Sequence, residues 1–205
     1  MLRLVIQYHP HRPGTDLGRK LVRCLARHRS TLSGVGASDK PGPVQRYLPV
    51  AHQVNQNASP EEALAVAELV QNIQTNSSTW VDRMGVERPV GLDDILIIAP
   101  YNAQVYELRQ RLPGARIGTV DKFQGQEAPI VIYSMTTSSY ADAPRGMDFL
   151  YSGNRLNVAS SRAKCLCILV AAPAVFEAEC RTPPQMRLAN AYCRYRELAM
   201  ELPPP

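Results

Sequence analysis

Two polar stretches of the sequence carry side chains that could hold and polarise a phosphate. The first spans residues 118–127, and the second spans residues 154–164. Arg162, in the second stretch, has a planar and permanently charged guanidinium whose fork of donors suits phosphate oxygens. An arginine placed against a nucleoside triphosphate stabilises the charge that develops during phosphoryl transfer. Arg162 is therefore a candidate catalytic residue.

The first stretch places polar groups on a turn after a strand. An apolar strand is predicted to end at Val120, and ligands bind beyond the carboxyl ends of strands in open α/β sheets. Gly125 permits a tight turn that a larger residue would strain. Gln126 and Glu127 put an amide and a carboxylate on that turn, which makes both of them candidate catalytic residues. For either stretch taken alone, an ordinary turn or a solvated helix end explains the pattern equally well.

Apolar runs predict the elements that must position these side chains. The run at residues 95–99 is continuous, which is typical of a strand covered on both faces of a parallel sheet. Strand-like and helix-like patterns alternate along the chain, so the sequence predicts an α/β domain with a parallel sheet flanked by helices. Further strands are predicted at residues 47–54, 130–134 and 166–170, and helices are predicted from residues 59, 102, 154 and 188.

Capping residues predict where two of the helices begin. Ser59 can cap a helix, Pro60 suits the first helical position, and Glu62 completes a capping box. Asn102 is expected to cap the next helix, two residues after Pro100. Both starts follow a predicted strand, as the alternation of strands and helices requires.

Two further predictions concern a loop and the cysteines. Residues 76–88 are polar and are predicted to form a loop anchored by Trp80. Cys165 and Cys167 alternate within a strand, so both are expected to face the same side of the sheet. The five cysteines have no zinc-binding spacing, and core packing is favoured over a metal site or a disulfide.

The two polar stretches, in this order and spacing, resemble motifs V and VI of superfamily 1 helicases, and residues 100–104 (PYNAQ) resemble motif IV. The nearest likeness is to the branch that includes RNA-decay helicases and bacterial RecB-like nuclease–helicase fusions. The resemblance implies a RecA-like fold, that of the second lobe of P-loop NTPase motors. It also implies ATP and single-stranded DNA or RNA as ligands, without deciding between the two nucleic acids.

The resemblance assigns roles to individual residues. Arg162 corresponds to the arginine finger of motif VI, and Gln126 and Glu127 are the catalytic candidates beside it. No metal ligand is implied. The residues implied to bind the nucleotide are Tyr101, Gln104, Gly125, Glu127 and Arg162, and those implied to bind nucleic acid are Pro100, Asn102, Thr119, Asp121 and Asn157.

A complete motor of this kind also needs a first lobe with a phosphate loop, G-x-x-x-x-G-K-[ST]. Gly34 and Gly36 have no Lys-Ser or Lys-Thr after them at the right distance. Asp93 and Asp94 precede their apolar strand, whereas a magnesium-binding carboxylate should follow one. We therefore expect ATP and Mg²⁺ to bind only with a complementary first lobe, and the chain alone to be inactive. A non-catalytic nucleic-acid-binding or regulatory remnant of a truncated helicase is the alternative.

Length and composition set the remaining bounds. The 205 residues are 45% hydrophobic and 20% charged, as in globular proteins, and the net charge of +5 permits nucleic acid as a partner without establishing it. No apolar run reaches the ~18 residues of a membrane span, and no signal-peptide core is evident, so no membrane partner and a cytoplasmic location are predicted. The predicted segments are an irregular one at 1–43, the helicase lobe at 44–200 and a Pro-rich tail at 201–205.

Overall fold

The computed structural model describes residues 43–82, 84–123 and 125–203. The predicted irregular segment at residues 1–43 lies, apart from its last residue, outside the described residues. The strands are β1 (Val44–Pro49), β2 (Thr79–Val81), β3 (Glu87–Pro89), β4 (Ile95–Ile98), β5 (Arg116–Gly118), β6 (Ala128–Ser134), β7 (Ala163–Ala171) and β8 (Met200–Glu201). The helices are α1 (Pro60–Thr75), α2 (Asn102–Arg111), α3 (Gly146–Leu150), α4 (Gly153–Arg162) and α5 (Pro183–Leu198).

Six of the strands form one parallel sheet in the spatial order β5-β4-β6-β7-β1-β8. The strands near its middle are continuous apolar runs, and every residue of β4 and β6 is buried. A strand covered on both faces needs no alternation of apolar and polar residues, which is why these runs are unbroken. The predicted α/β fold with a parallel sheet flanked by helices is confirmed.

Helices cover both faces of this sheet. α1 and α2 pack on one face, where Leu69 and Leu108 are fully buried. α4 and α5 pack on the other face through residues such as Leu156 and Tyr192. Burying one such side chain contributes about 1.5–3 kcal/mol, so the two apolar layers supply most of the stabilising free energy. Arg162 ends α4 and directly precedes β7, so this helix runs back toward the amino end of the sheet.

Two of the contacts predicted to cap the helix starts are not formed. Ser59 caps α1 as predicted, because its side chain accepts a hydrogen bond from the backbone N–H of Glu62 at 3.1 Å. The predicted return bond from the Glu62 carboxylate is wrong, since the Ser59 N–H donates to Oε1 of Gln104 at 2.7 Å. The prediction that Asn102 caps α2 is also wrong. Tyr101 occupies the cap position, without a side-chain hydrogen bond, and Asn102 is the first helical residue.

The predicted polar loop at residues 76–88 contains regular structure instead. β2 and β3 pair there as an antiparallel hairpin, which precedes the start of β4. Trp80 lies on β2 and packs, partly buried, against the core, as expected of an anchor. Short strands of polar composition escape detection because their pairing, rather than an apolar pattern, defines them.

The expectation that Cys165 and Cys167 share one face of the sheet is wrong. Between Ala163 and Leu166, β7 has one residue more than the facing part of β6. Such a β-bulge places two consecutive side chains on one side. Cys165 therefore shares the α1 face with Leu166, while Cys167 lies on the α4 face. Burial raises the pKa of both thiols to about 11, so both are unreactive core residues.

The described chain continues to pack beyond α5. β8 is the outermost strand on one side of the sheet and pairs in parallel with β1. Leu202, which follows it, is only 3% exposed. Packed residues therefore reach into the segment predicted as a Pro-rich tail at 201–205. The boundaries of the lobe at residues 44 and 200 stay a prediction.

Candidate functional site

Polar residues gather at both edges of the parallel sheet. The carboxyl edge is formed by the ends of β4, β5 and β6, and the amino edge is formed by the starts of β6 and β7. Ala128 and Ala163, the first residues of β6 and β7, pair with each other. Residues just before these strands are therefore neighbours. The catalytic candidates Gln126, Glu127 and Arg162 lie together at this amino edge. The expectation that Gln126 and Glu127 lie beyond the carboxyl end of a strand is therefore wrong, because β5 ends at Gly118 and the chain returns to the amino edge before β6.

The residues implied to bind the nucleotide are divided between the two edges. Glu127 and Arg162 lie at the amino edge, whereas Tyr101 and Gln104 follow the end of β4 at the carboxyl edge. Strands of four and seven residues, β4 and β6, separate the edges by roughly 13–23 Å. One bound nucleotide at Arg162 would therefore lie far from Tyr101 and Gln104.

Arg162 has a buried donor without an acceptor. Its Nε is shielded from solvent and makes no hydrogen bond to any described residue. Nor does any ion pair join its guanidinium to a carboxylate within residues 43–82, 84–123 and 125–203. An unsatisfied buried donor costs about 1–3 kcal/mol, and native structures keep few of them. An acceptor from another molecule, reached by a shift of the side chain, would satisfy this donor.

Arg162 lines a cavity of about 390 Å³ between α4 and the 3-10 turn Val120–Phe123. This volume lies within the ordinary range of ligand sites. Arg155 lies on the same wall, and Asp121 lies on the wall formed by the turn. Two guanidiniums against one carboxylate give the cavity a positive balance, which suits an anion. The other lining residues are Val120, Ser152, Asn154 and Val158.

Gln126 and Glu127 are exposed and loosely held beside this arginine. Gln126 accepts a hydrogen bond from Nη2 of Arg116 at 2.9 Å and donates one to the carbonyl of Lys122 at 3.3 Å. The Glu127 carboxylate lies 3.9 Å from Nζ of Lys164, with 45% of its side chain exposed. An exposed ion pair contributes about 0–1 kcal/mol, so Glu127 can exchange Lys164 for another partner at little cost.

Two glycines shape the turn that leads to these side chains. Gly125 has a φ of +80°, a left-handed conformation that glycine adopts without strain, as its predicted role in a tight turn requires. A Cβ at Gly118 would lie 2.5 Å from Cδ of Lys122 and 3.2 Å from the Phe123 ring. Both side chains would have to shift, so Gly118 lets the turn pack closely against the end of β5.

Three residues of the motif IV segment are buried at the carboxyl edge. The Gln104 amide is fully used inside the protein: its Nε2 donates to Ser59 O at 3.2 Å and to Ser134 Oγ at 3.0 Å, and its Oε1 accepts from the Ser59 N–H. Tyr101 is 7% exposed, and burial raises the pKa of its phenol. Pro100 is also buried. These contacts give Gln104 a structural role in joining α1 to the end of β6.

The residues implied to bind nucleic acid are not gathered at one place. Asn102 is exposed and Thr119 is half-buried, both at the carboxyl edge, where Pro100 is buried. Asp121 is exposed but lines the cavity of Arg162. Asn157 is exposed on α4. Of these five residues, Asn102 and Thr119 combine a polar side chain with access to solvent and a position directly at the carboxyl edge.

Sequence reasoning missed a buried polar network at the carboxyl edge. His52 lies with Nε2 3.0 Å from Oε1 of Glu62 and with Nδ1 2.8 Å from Oγ of Ser138. The other Glu62 oxygen accepts from the Ser134 hydroxyl at 2.5 Å and from the Thr136 N–H at 2.8 Å. The signal was present, because Glu62 falls on the apolar stripe of α1, where a charged residue needs buried partners.

Two features are absent from the described residues. No helix within them is both long and apolar enough to cross a lipid bilayer. No group of three His, Cys, Asp or Glu side chains in the same ranges is placed to hold a metal ion. The predicted cytoplasmic location stays a prediction.

A parallel sheet with helices on both faces and polar clusters at its two edges defines a RecA-like α/β lobe. The AAA_12 family, described as an AAA domain, matches residues 44–174, from the first residue of β1 to the turn after β7. That match covers more than half of the 205 residues, and the chain belongs to this family. It is a lobe of a superfamily 1 helicase, as the motifs in its sequence indicate.

Curated relatives carry helicase names. An uncharacterized ATP-dependent helicase of Caenorhabditis elegans is 38% identical over 111 residues, which are 53% of this chain and 6% of the relative. The probable RNA helicase armi of Drosophila melanogaster is 40% identical over 93 residues, which are 41% of this chain and 8% of the relative. A DNA replication ATP-dependent helicase/nuclease of Arabidopsis thaliana is 31% identical over 140 residues, which are 66% of this chain and 9% of the relative. The chain thus spans less than a tenth of the length of each of these relatives.

Proposed function

We propose that this chain is the second motor lobe of an ATP-dependent helicase and that Arg162 is its arginine finger. The buried, unpartnered Nε of Arg162 in a positively balanced cavity is the observation that carries the proposal. A donor fixed before the reaction stabilises developing phosphate charge without further reorganisation. The nucleotide would be held mainly by the phosphate loop of a first lobe, a motif that this sequence does not contain.

The other residues of the amino edge complete the proposed catalytic group. Glu127 can accept a hydrogen bond from a water or hydroxyl group once it leaves Lys164. Gln126 is oriented by Arg116, and Gly125 lets the backbone approach a ligand closely. When bound, ATP supplies the phosphoryl group and Mg²⁺ neutralises part of its charge. We expect the ligands of that ion to come from the first lobe.

The carboxyl edge is proposed to face single-stranded nucleic acid. Asn102 and Thr119 are the polar side chains placed to contact it. Pro100, Tyr101 and Gln104 would act by fixing the backbone at the end of β4 rather than by touching the strand. Relatives are named for RNA and for DNA, so the proposed ligand is single-stranded nucleic acid of either kind.

The decisive experiment joins this lobe to a phosphate-loop lobe encoded beside it and measures ATP hydrolysis. Arg162→Ala should lower kcat by about 10³–10⁵ while a fluorescent ATP analogue still binds, because an arginine finger acts mainly on the transition state. Arg155→Ala, from the same helix, should lower kcat far less, since its guanidinium packs on the Phe149 ring. The matched control is Arg187→Ala, which removes an exposed arginine from α5 and should leave kcat unchanged. Equal turnover of Arg162→Ala and the parent would refute the assignment.

The isolated chain tests the lobe role separately. We expect it to hydrolyse ATP no faster than background, because it has no phosphate loop. A turnover that nucleic acid stimulates in the purified chain would contradict this role. Joined lobes that bind ATP and nucleic acid without any hydrolysis would instead favour the alternative, a non-catalytic binding or regulatory remnant.

A further inference from the structure

Two arginines share one aromatic ring at the carboxyl edge. Cζ of Arg145 lies 4.1 Å and Cζ of Arg155 lies 3.8 Å from the centroid of the Phe149 ring. The Tyr101 ring is 5.2 Å from the same centroid, tilted by 33°. Nη1 of Arg155 also donates to the backbone carbonyl of Phe149 at 3.3 Å. Phe149 is thus held by Arg155 and Tyr101, and Arg145 completes the cluster from outside.

The charges of this cluster are not neutralised within the described part of the chain. No ion pair joins either Arg145 or Arg155 to a carboxylate there. The ring attracts each guanidinium through its quadrupole without neutralising its charge, so Arg145 can still attract an anion. Arg145 is exposed, so an anion can reach it from solvent.

The position of the cluster suggests which anion it takes. Arg145 immediately precedes α3, in the connection that follows β6, and Tyr101 follows the end of β4. Asn102, an exposed residue proposed to contact nucleic acid, is the next residue after Tyr101. A single strand of nucleic acid that crosses the carboxyl edge at Asn102 therefore passes close to the cluster. Arginine binds phosphate oxygens in a bidentate manner, which suits a phosphodiester backbone.

We propose that Arg145, supported by Phe149 and Arg155, binds the phosphodiester backbone of single-stranded nucleic acid. The site rests on the proposed function, to which it adds a contact. Arg145 and Phe149 lie outside the three helicase motifs, so the motifs alone do not assign it. Arg155 also lines the cavity of Arg162, which lies seven residues further along α4. The same helix therefore links the proposed nucleic-acid contact to the proposed nucleotide site.

The test is fluorescence anisotropy of this chain with labelled oligo(dT) and oligo(rU) of equal length at several salt concentrations. Arg145→Ala should weaken binding about tenfold at low salt, as loss of a charged hydrogen bond does. It should also reduce the slope of log K against log salt by about 0.7, the loss of one single-strand phosphate contact. Arg145→Lys should restore only part of the affinity, because lysine keeps the charge but lacks the planar fork. Phe149→Leu, which keeps the apolar packing, should weaken binding about threefold by releasing Arg145.

Arg88→Ala is the matched control. It likewise removes one arginine charge, here from the exposed β2–β3 hairpin, which precedes β4 and therefore lies toward the amino edge of the sheet. If Arg145→Ala and Arg88→Ala weaken binding equally, the site is refuted while general binding to nucleic acid stands. If the parent binds neither oligonucleotide at low salt, the site and the nucleic-acid part of the proposed function both fail. An effect with only one oligonucleotide supports the site and identifies DNA or RNA as its ligand.

Discussion

Two polar clusters at opposite edges of the sheet hold their side chains in opposite ways. At the carboxyl edge, Glu62 and Gln104 are fully buried, and each of their side-chain polar atoms has a partner inside the protein. At the amino edge, Gln126 and Glu127 are exposed, and Arg162 has a buried donor with no described partner. Buried polar groups must be satisfied to be tolerated, which fixes them in one arrangement. The cluster of Glu62 and Gln104 is therefore fixed in place, and the cluster of Gln126, Glu127 and Arg162 is able to change partners.

Replacing Glu62 should break the comparison most severely. Glu62→Ala leaves His52, the Ser134 hydroxyl and the Thr136 N–H without their acceptor, in a site closed to water. Removing one member of a buried charged network costs about 3–5 kcal/mol of unfolding free energy. Urea denaturation of the purified chain measures it. Glu68→Ala, an exposed position on the same helix, is the control and should change stability by less than about 0.5 kcal/mol. Equal losses would show that the network is not stabilising.

Gln104→Ala should cost less, because a neutral amide is removed rather than a charge. The backbone N–H of Ser59 and the Ser134 hydroxyl lose a partner in the interior. The expected loss is about 1–3 kcal/mol, measured by the same denaturation. Gln110→Ala tests an exposed glutamine of the same helix and should be nearly silent. A silent Gln104→Ala would leave that side chain available for the ligand contact its motif implies.

The loop that contains Val54 is held by the buried network of His52 and Glu62, and it carries backbone strain that a glycine should relieve. Val54 has a φ of +64° and is 79% exposed, so it gains little from packing. A left-handed conformation costs a residue with a Cβ about 1–2 kcal/mol, and glycine loses part of that gain through its more flexible unfolded state. Val54→Gly should therefore raise stability by up to about 1 kcal/mol, or Tm by about 2–4 °C.

Val86→Gly provides the contrast in a thermal melt. Val86 is an exposed valine without a positive φ, so glycine there should lower Tm. A lower Tm for Val54→Gly as well would mean that His52 and Asn55, which hold the loop to Ser138, do not keep it strained.

The smallest effect on stability is expected at the amino edge. Glu127→Ala removes one exposed contact at 3.9 Å and should change the unfolding free energy by less than about 0.5 kcal/mol. In the joined motor the same change should lower ATP hydrolysis. A stability loss as large as that of Gln104→Ala would show that both edges are built alike.

The sequence predicts well what depends on local pattern. Continuous apolar runs indicated the buried parallel strands β4 and β6, and the paired polar stretches indicated a superfamily 1 helicase lobe. Ser59 was correctly identified as a cap. The location of Gln126 and Glu127 was not predicted: the sequence placed them beyond the carboxyl end of a strand, whereas they lie just before β6 at the amino edge.

The remaining features depend on which strands become neighbours. Tyr101 and Glu127 were assigned to one ligand, yet parallel strands of the sheet hold them at opposite ends. Glu62 has the spacing of a capping box, and only the tertiary fold shows that its carboxylate is needed elsewhere. Cys165 changes face because of one extra residue in β7, a matter of register that the alternation of side chains cannot reveal.

α4 passes into β7 without a connecting loop, since Arg162 ends the helix and the next residue begins the strand. β7 lies inside the sheet, hydrogen-bonded to β6 on one side and to β1 on the other. The backbone that carries this guanidinium therefore has no loop to act as a hinge. For a finger at this position, whole-body rotation of the lobe, rather than closure of a flap, would bring the charge to the nucleotide and take it away. Distance probes on rigid strands far from Arg162 would then follow the catalytic cycle as faithfully as probes beside it.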